Sequence, residues 1–153
     1  MVPPEDPFVA DCFRFTFVRH PCERFASFVR SKIAGRTTEQ IRPRFRRLGL
    51  RAGMSLEEIF AAVEAAPRET LEWHVMPQSY FVFDGERPRV DFIGHLEQFE
   101  AGLDEIAARN GTRLEVQRLN VTGCDPSVQL SPELKARLAK FYAEDFARFG
   151  YTP

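Results

Sequence analysis

Long apolar runs are absent from this sequence of 153 residues. A membrane-spanning helix needs about 20 consecutive apolar residues, and a secretory signal needs a charged leader followed by an apolar core. Because the sequence shows neither pattern, we expect no membrane span and no secretory signal in it. This favours a cytoplasmic location.

Cysteine is scarce, and the three residues present are Cys12, Cys22 and Cys124. Their odd number and wide spacing differ from the closely spaced pairs of zinc sites and redox motifs. We therefore predict buried or incidental thiols in a reducing compartment, and no metal site.

Lysine is equally rare, since Lys32, Lys135 and Lys140 are the only lysines among 21 basic residues. The basic residues are unevenly placed: residues 1–51 carry eleven basic against five acidic side chains, and residues 52–153 carry ten against seventeen. A cluster of cations attracts an anionic ligand, but it is also typical of a solvated helical face. Both interpretations stay open for the arginines of the basic segment, which are Arg36, Arg42, Arg44, Arg46, Arg47 and Arg51.

The rest of the composition is that of a globular protein. The length and a hydrophobic content of 44% suffice for one buried core, so we predict a single domain over residues 1–153. A nucleic-acid binder is a weaker hypothesis, because the basic segment interleaves its arginines with Phe45 alone and the chain as a whole is not basic.

The most informative pattern begins at Phe13. From Phe13 to Val18 every second residue is phenylalanine, and this run, rich in aromatic and β-branched residues with a period of two, predicts a strand. Pro21 suits the first turn of a helix, and apolar residues then recur at helical spacing. That apolar stripe consists of Phe25, Phe28, Val29 and Ile33. The predicted unit is a strand, a tight turn and a helix.

This unit places Arg19 at the carboxyl end of a strand, beside a helix N-terminus whose unpaired N–H groups and dipole favour an anion. Ser27 lies roughly opposite the apolar stripe, on the same side of the helix as Arg24. A phosphate would fit beside these side chains. The alternative is an arginine in a surface ion pair and a solvated serine.

The order Arg19-x-Pro21-x-x-Arg24-x-x-Ser27 resembles the 3′-phosphate-binding segment of sulfotransferases that use 3′-phosphoadenosine 5′-phosphosulfate (PAPS). The resemblance implies that Arg19 and Ser27 hold the 3′-phosphate of this donor, with Arg24 in the same site. By the same resemblance, Asn120 faces the nucleotide end of the donor. Further segments are similar to the carbohydrate-directed, membrane-type branch of the family, and they are His74-x-x-Pro77-Gln78, Val90 to Glu97, Leu119 to Thr122, and Tyr142 to Tyr151.

Two helices are predicted from their first residues. Ser55 and Glu58 have the spacing of a capping box, which predicts a helix over residues 56–66. Ser131 caps a last amphipathic helix whose apolar residues extend to Phe146.

Two short strands are predicted in the second half of the chain, from Tyr80 to Phe83 and from Leu114 to Leu119, and the segment from Val90 to Glu97 resembles a strand that runs into a helix. His74 lies in apolar company just before the first of them. It is either a catalytic base or a hydrogen-bonded residue of the core or rim.

The resemblance implies an α/β fold of the P-loop-like sulfotransferase type, with a short parallel sheet flanked by helices. It also implies in-line transfer of a sulfuryl group from PAPS to a hydroxyl acceptor, a carbohydrate, without a metal. The catalytic base is not identified. The alternative is a catalytically silent nucleotide- or polyanion-binding module that retains only the 3′-phosphate half-site.

The family places a lysine-bearing loop, which binds the 5′-phosphosulfate, before the strand that begins here at Phe13. No such loop precedes Phe13 in this sequence, so we expect an N-terminally truncated fold with little activity of its own. The strand over residues 13–18 would then form an apolar sheet edge. We expect this edge to pair with another copy or another polypeptide, or to be covered by Met1 to Asp11.

Overall fold

The structure is a computed structural model that describes residues 12–111 and 129–153. Its contacts divide the chain into two compact units. The first comprises Met1–Arg19 and Gln78–Arg118, and the second comprises His20–Pro77 and Leu119–Pro153. The single domain over residues 1–153 stays a prediction.

A parallel strand pair is the centre of the first unit. Strand β1 (Phe15–Val18) pairs with strand β4 (Phe92–His95), and the register places Phe15 opposite Phe92. The chain as a whole combines helices with this short parallel sheet, so the predicted α/β class is confirmed.

The alternation predicted that the first strand begins at Phe13, but in the structure it begins at Phe15. The backbone N–H of Arg14 donates to the carboxylate of Asp91 at 2.8 Å, and the backbone N–H of Asp91 donates to the carbonyl of Arg14 at 2.7 Å. The bond from the N–H of Arg14 to this carboxylate, with those from the guanidinium of Arg14, holds the pKa of Asp91 below its ordinary value. The carboxylate of Asp91 therefore accepts the N–H of Arg14, which in a longer strand would bond to the main chain of the neighbouring strand.

Helix α5 (Phe99–Asn110) packs against β4 in the first unit. The ring of Phe17, on β1, lies against Phe99 with 4.7 Å between ring centroids. It fits there because Gly94 and Gly102 have no Cβ atom, and a Cβ added at either would lie 2.5 Å from the ring. The contact between strand and helix thus depends on two glycines.

The predicted strand from Tyr80 to Phe83 is wrong. Gln78 has helical dihedral angles, and its carbonyl accepts the N–H groups of Phe81 and Val82, which starts a helical turn in place of a strand. Only a two-residue antiparallel hairpin follows it. The remaining elements of this unit are α4 (Ser79–Val82), β2 (Phe83–Asp84), β3 (Arg87–Pro88) and a 3₁₀ turn (Leu96–Gln98).

The second unit is helical in its described residues. It consists of α1 (Pro21–Lys32), α2 (Pro43–Arg47), α3 (Leu56–Ala65), a 3₁₀ turn (Arg68–Thr70), α6 (Pro132–Phe141) and α7 (Ala143–Phe149). Its fully buried side chains include Phe25, Phe45, Phe60, Leu134 and Leu138. The apolar stripe of α1 therefore faces the core, as its spacing predicted.

Both predicted helix caps are confirmed, but the last helix is not continuous. Ser55 and Glu58 form the full capping box, and the Ser131 hydroxyl accepts the N–H of Leu134 at 3.2 Å. The prediction of one helix through Phe146 is wrong, because α6 and α7 are separated at Tyr142, where φ is −101° and ψ is 25°.

Two predictions, the strand from Leu114 to Leu119 and the position of Asn120, lie outside the described residues. Within the parts of the chain that the structure describes, no helix is long and apolar enough to cross a membrane.

Candidate functional site

Arg19 directly follows β1, and one side chain holds its main chain on both sides. The amide oxygen of Gln78 accepts the N–H of Arg19 at 3.0 Å, and the amide nitrogen of Gln78 donates to the carbonyl of Arg19 at 2.8 Å. Gln78 is 9% exposed, so both bonds are largely shielded from water. Fixing this main chain fixes the point from which the arginine side chain extends.

The N-terminus of α1, in the second unit, is capped by His20. Nδ1 of His20 accepts the N–H of Cys22 at 3.2 Å, so the ring proton lies on Nε2, which donates to the carbonyl of Thr152 at 3.0 Å. Pro21 has no N–H, and His20 already uses that of Cys22. The first turn therefore offers fewer N–H groups to an anion than the sequence suggested, which leaves more of the binding to side chains.

Ser27 is half-buried on α1, and among the described residues its hydroxyl has no hydrogen-bond partner. Arg24 is committed more fully, since its guanidinium donates to the carbonyl of Met76 at 2.7 Å and to that of Trp73 at 2.6 Å. Burial lowers the pKa of Arg24, while Tyr142 opposes that shift. Arg24 thus orders a turn of the second unit, and its contact with the donor stays a prediction.

The turn that Arg24 orders also receives a bond from Tyr142. The hydroxyl of buried Tyr142 donates to the carbonyl of Val75 at 2.6 Å. Three carbonyls of the turn, those of residues 73, 75 and 76, thus accept side-chain hydrogen bonds. Such a turn holds the intervening residue, His74, in a fixed position.

His74 lies between aromatic rings and cations. Its ring centroid is 5.6 Å from that of Phe45 and 6.3 Å from that of Phe28, and its Nδ1 is buried without a hydrogen-bond partner. Burial, with smaller contributions from surrounding cations, lowers the pKa of His74 to about 4. The ring is therefore neutral at pH 7 and a weak base in the unliganded protein.

A comparison with known protein families identifies the family of this chain. The model of the sulfotransferase family matches residues 5–152. The chain belongs to the sulfotransferase family. No curated protein and no solved structure gives a significant match to the sequence.

The match spans every segment of this sulfotransferase on which the sequence-based resemblance rested, so the predicted family is confirmed. Arg19 lies in the first unit, whereas Arg24 and Ser27 lie on one helix of the second unit, and Asn120 lies outside the described residues. The roles of these four residues in binding stay predictions. Across residues 12–111 and 129–153, no group of three or more His, Cys, Asp or Glu side chains is placed to hold a metal ion.

Two residues that position the site were not predicted. The order His74-x-x-Pro77-Gln78 suggests a role for its histidine, yet Gln78 is the residue that clamps Arg19. Tyr142 begins the last segment that resembles the family, and its bond to Val75 supports the turn of His74. A buried glutamine and a buried tyrosine both need hydrogen-bond partners, but the sequence does not say which partners they find.

Proposed function

We propose that this sulfotransferase transfers a sulfuryl group from PAPS to a hydroxyl group of a carbohydrate. Membership of the family supports sulfuryl transfer in general. The single structural observation that favours the PAPS donor is the clamp of Gln78 on Arg19, which fixes the arginine expected to bind the 3′-phosphate.

In the proposed reaction the acceptor oxygen forms a bond to sulfur while the bond from sulfur to the bridging phosphate oxygen breaks. Adenosine 3′,5′-bisphosphate leaves, and the acceptor proton passes to a base that is not assigned. Arg19 and Ser27 hold the 3′-phosphate, Arg24 supports this site from α1, and Asn120 contacts the nucleotide end. No metal is required by this scheme.

The proposal predicts that Arg19→Ala weakens the binding of adenosine 3′,5′-bisphosphate. Hydrogen bonds to a charged group contribute about 1.5 to 3 kcal/mol, so the dissociation constant should rise roughly 10- to 150-fold. Ser27→Ala should have a smaller effect, because a neutral hydroxyl contributes about 0.5 to 1.5 kcal/mol. Isothermal titration calorimetry measures both.

Arg87→Ala is the matched control, because it removes the same charge from an exposed residue of the short hairpin. It should leave the affinity unchanged. Equal affinities of the wild type and Arg19→Ala would reject this donor site.

A catalytically silent nucleotide-binding module is the second candidate function. It is favoured by the pKa of His74, because a group with a pKa of about 4 is a poor general base at neutral pH. Turnover of PAPS with a panel of hydroxyl acceptors separates the two candidates. Binding of the bisphosphate without turnover would favour the silent module.

We also propose a cytoplasmic location, as expected from the sequence. Cell fractionation tests this location.

A further inference from the structure

Helix α1 of the second unit carries two neighbouring polar side chains, those of Ser27 and Arg30, on one face. Residues three apart on a helix are neighbours, with about 5 to 6 Å between their Cβ atoms. Long side chains on a helix also lean towards its N-terminus, so we expect that of Arg30 to extend over the turn that carries Ser27. The hydroxyl and the guanidinium can therefore reach the same small ligand.

Arg30 is half-buried, and its Nε is a buried donor without an acceptor. Within the described residues its guanidinium makes neither a hydrogen bond nor an ion pair. Leaving a buried donor unpaired is unfavourable, and native proteins contain few such groups. Since Ser27 is also half-buried and its hydroxyl has no hydrogen-bond partner in the described chain, two adjacent polar groups are left without partners.

The polar side chains one turn before and one turn after Ser27 are, by contrast, engaged. Arg24 donates from both terminal nitrogens of its guanidinium to main-chain carbonyls, at 2.7 and 2.6 Å. The hydroxyl of Ser31 donates to a main-chain carbonyl of its own helix at 3.4 Å. Arg30 can thus turn its guanidinium to a ligand beside Ser27 without giving up a hydrogen bond, whereas Arg24 cannot turn away from its carbonyls at no cost.

A phosphate group suits both of these side chains. A hydroxyl donates to a phosphate oxygen, and a guanidinium pairs with two such oxygens through parallel N–H bonds. The chain that begins at Arg30 is also strongly basic, because residues 30–51 carry eight basic side chains and one acidic side chain. Such a segment raises the local concentration of anions.

We propose that Arg30 is a further binding residue for the donor, and that its guanidinium contacts the 3′-phosphate together with the hydroxyl of Ser27. This inference rests on the proposed function, in which Ser27 holds that phosphate. Arg30 lies outside the motif on which the family resemblance rests, since that motif ends at Ser27. The contact makes the site select nucleotides that carry a 3′-phosphate.

Calorimetry with two nucleotides tests this role of Arg30: adenosine 3′,5′-bisphosphate, and adenosine 5′-phosphosulfate, which lacks the 3′-phosphate. Arg30→Ala should raise the dissociation constant of the bisphosphate about tenfold, because a charge-assisted hydrogen bond is lost. It should leave the dissociation constant of the phosphosulfate within about twofold of the wild-type value. Arg30→Lys keeps the charge but not the paired N–H groups, so it should have a smaller effect than Arg30→Ala.

Two further variants separate a contact from a general effect of charge. Arg51→Ala removes the same charge from an exposed residue of the basic segment, and it should leave both affinities unchanged. Glu23 is an exposed carboxylate one turn before Ser27 on the same face, and its charge opposes a phosphate there. Glu23→Gln should therefore tighten the binding of the bisphosphate about twofold, as is typical of exposed charges.

Phosphorus nuclear magnetic resonance of the bound bisphosphate provides a second readout, because its two phosphates give separate signals. Arg30→Ala should shift the signal of the 3′-phosphate and leave that of the 5′-phosphate unchanged. Equal affinities of the wild type and Arg30→Ala for the bisphosphate, or the same loss for both nucleotides, would overturn this inference. The donor site itself would stand in either case if Arg19→Ala still weakened binding, whereas a wild type that does not bind the bisphosphate would reject both.

Discussion

The side-chain amide of Gln78 shows how much one residue decides at this site. It supplies both a donor and an acceptor to the main chain of Arg19, as a neighbouring strand would. Among residues of this length only glutamine carries both groups, since glutamate at neutral pH only accepts. The position therefore tolerates few substitutions if Arg19 is to stay in place.

The change Gln78→Glu tests this requirement with almost no change of shape. The carboxylate can still accept the N–H of Arg19, but it faces the carbonyl of Arg19 without a donor. A buried group left unsatisfied costs about 1 to 3 kcal/mol, so we expect a lower free energy of unfolding and roughly 5- to 10-fold weaker binding of adenosine 3′,5′-bisphosphate. Chemical denaturation and calorimetry measure the two effects.

Gln98→Glu makes the same chemical change at an exposed residue and is the control. It should alter neither quantity appreciably. A Gln78→Glu variant as stable and as tightly binding as the wild type would show that the clamp does not position Arg19.

The helices of this protein could be predicted from the sequence where local interactions alone determine where they begin. The capping box of α3 and the proline at the start of α1 are local signals, and both helices form where these signals place them. The strand predicted from Tyr80 to Phe83 is wrong because strands and buried helical turns are both rich in apolar residues. Gln78, which precedes the run, takes helical dihedral angles while its side chain binds Arg19, a partner distant in sequence.

The break between α6 and α7 has a similar origin. Apolar residues keep helical spacing through the break, so the pattern shows no interruption. Tyr142 at the break instead directs its hydroxyl to Val75 in a distant turn. The sequence could predict the family and the strand-end arginine from a motif, but it could not predict tertiary hydrogen bonds of this kind.

The close packing of α5 on the strand pair predicts that the helix does not tolerate a larger side chain at Gly102. Gly102→Ala should increase helix propensity, by up to about 1 kcal/mol, but its Cβ would lie 2.5 Å from the ring of Phe17. That ring also contacts Phe99 and Phe92, so it cannot move away freely. We expect a net loss of about 1 to 3 kcal/mol in the free energy of unfolding, as is typical of overpacking.

A double variant identifies the cause of that loss. Gly102→Ala combined with Phe17→Leu should recover part of the stability that the two single changes lose in sum, because the smaller side chain leaves room for the Cβ. Additive losses in denaturant titrations would contradict the steric explanation.

The whole molecule has a strand edge on β1 that bears on how separate chains interact. Within residues 12–111 and 129–153, β1 pairs with β4 and with no further strand. Phe15 on this strand is 44% exposed and lies beside Phe13, with 6.5 Å between ring centroids. Unpaired strand edges with exposed aromatic residues promote association between chains.

We therefore predict that the purified chain self-associates through β1. Light scattering coupled to size-exclusion chromatography should show a mass that rises with protein concentration. Phe15→Lys should shift the equilibrium towards the monomer, because a charged side chain on an edge strand must be desolvated when a second strand pairs there. Leu96→Lys, at an equally exposed residue outside the strands, should not shift it. A wild-type chain that remains monomeric at every concentration would contradict the prediction, and would indicate that the edge is covered within the same chain.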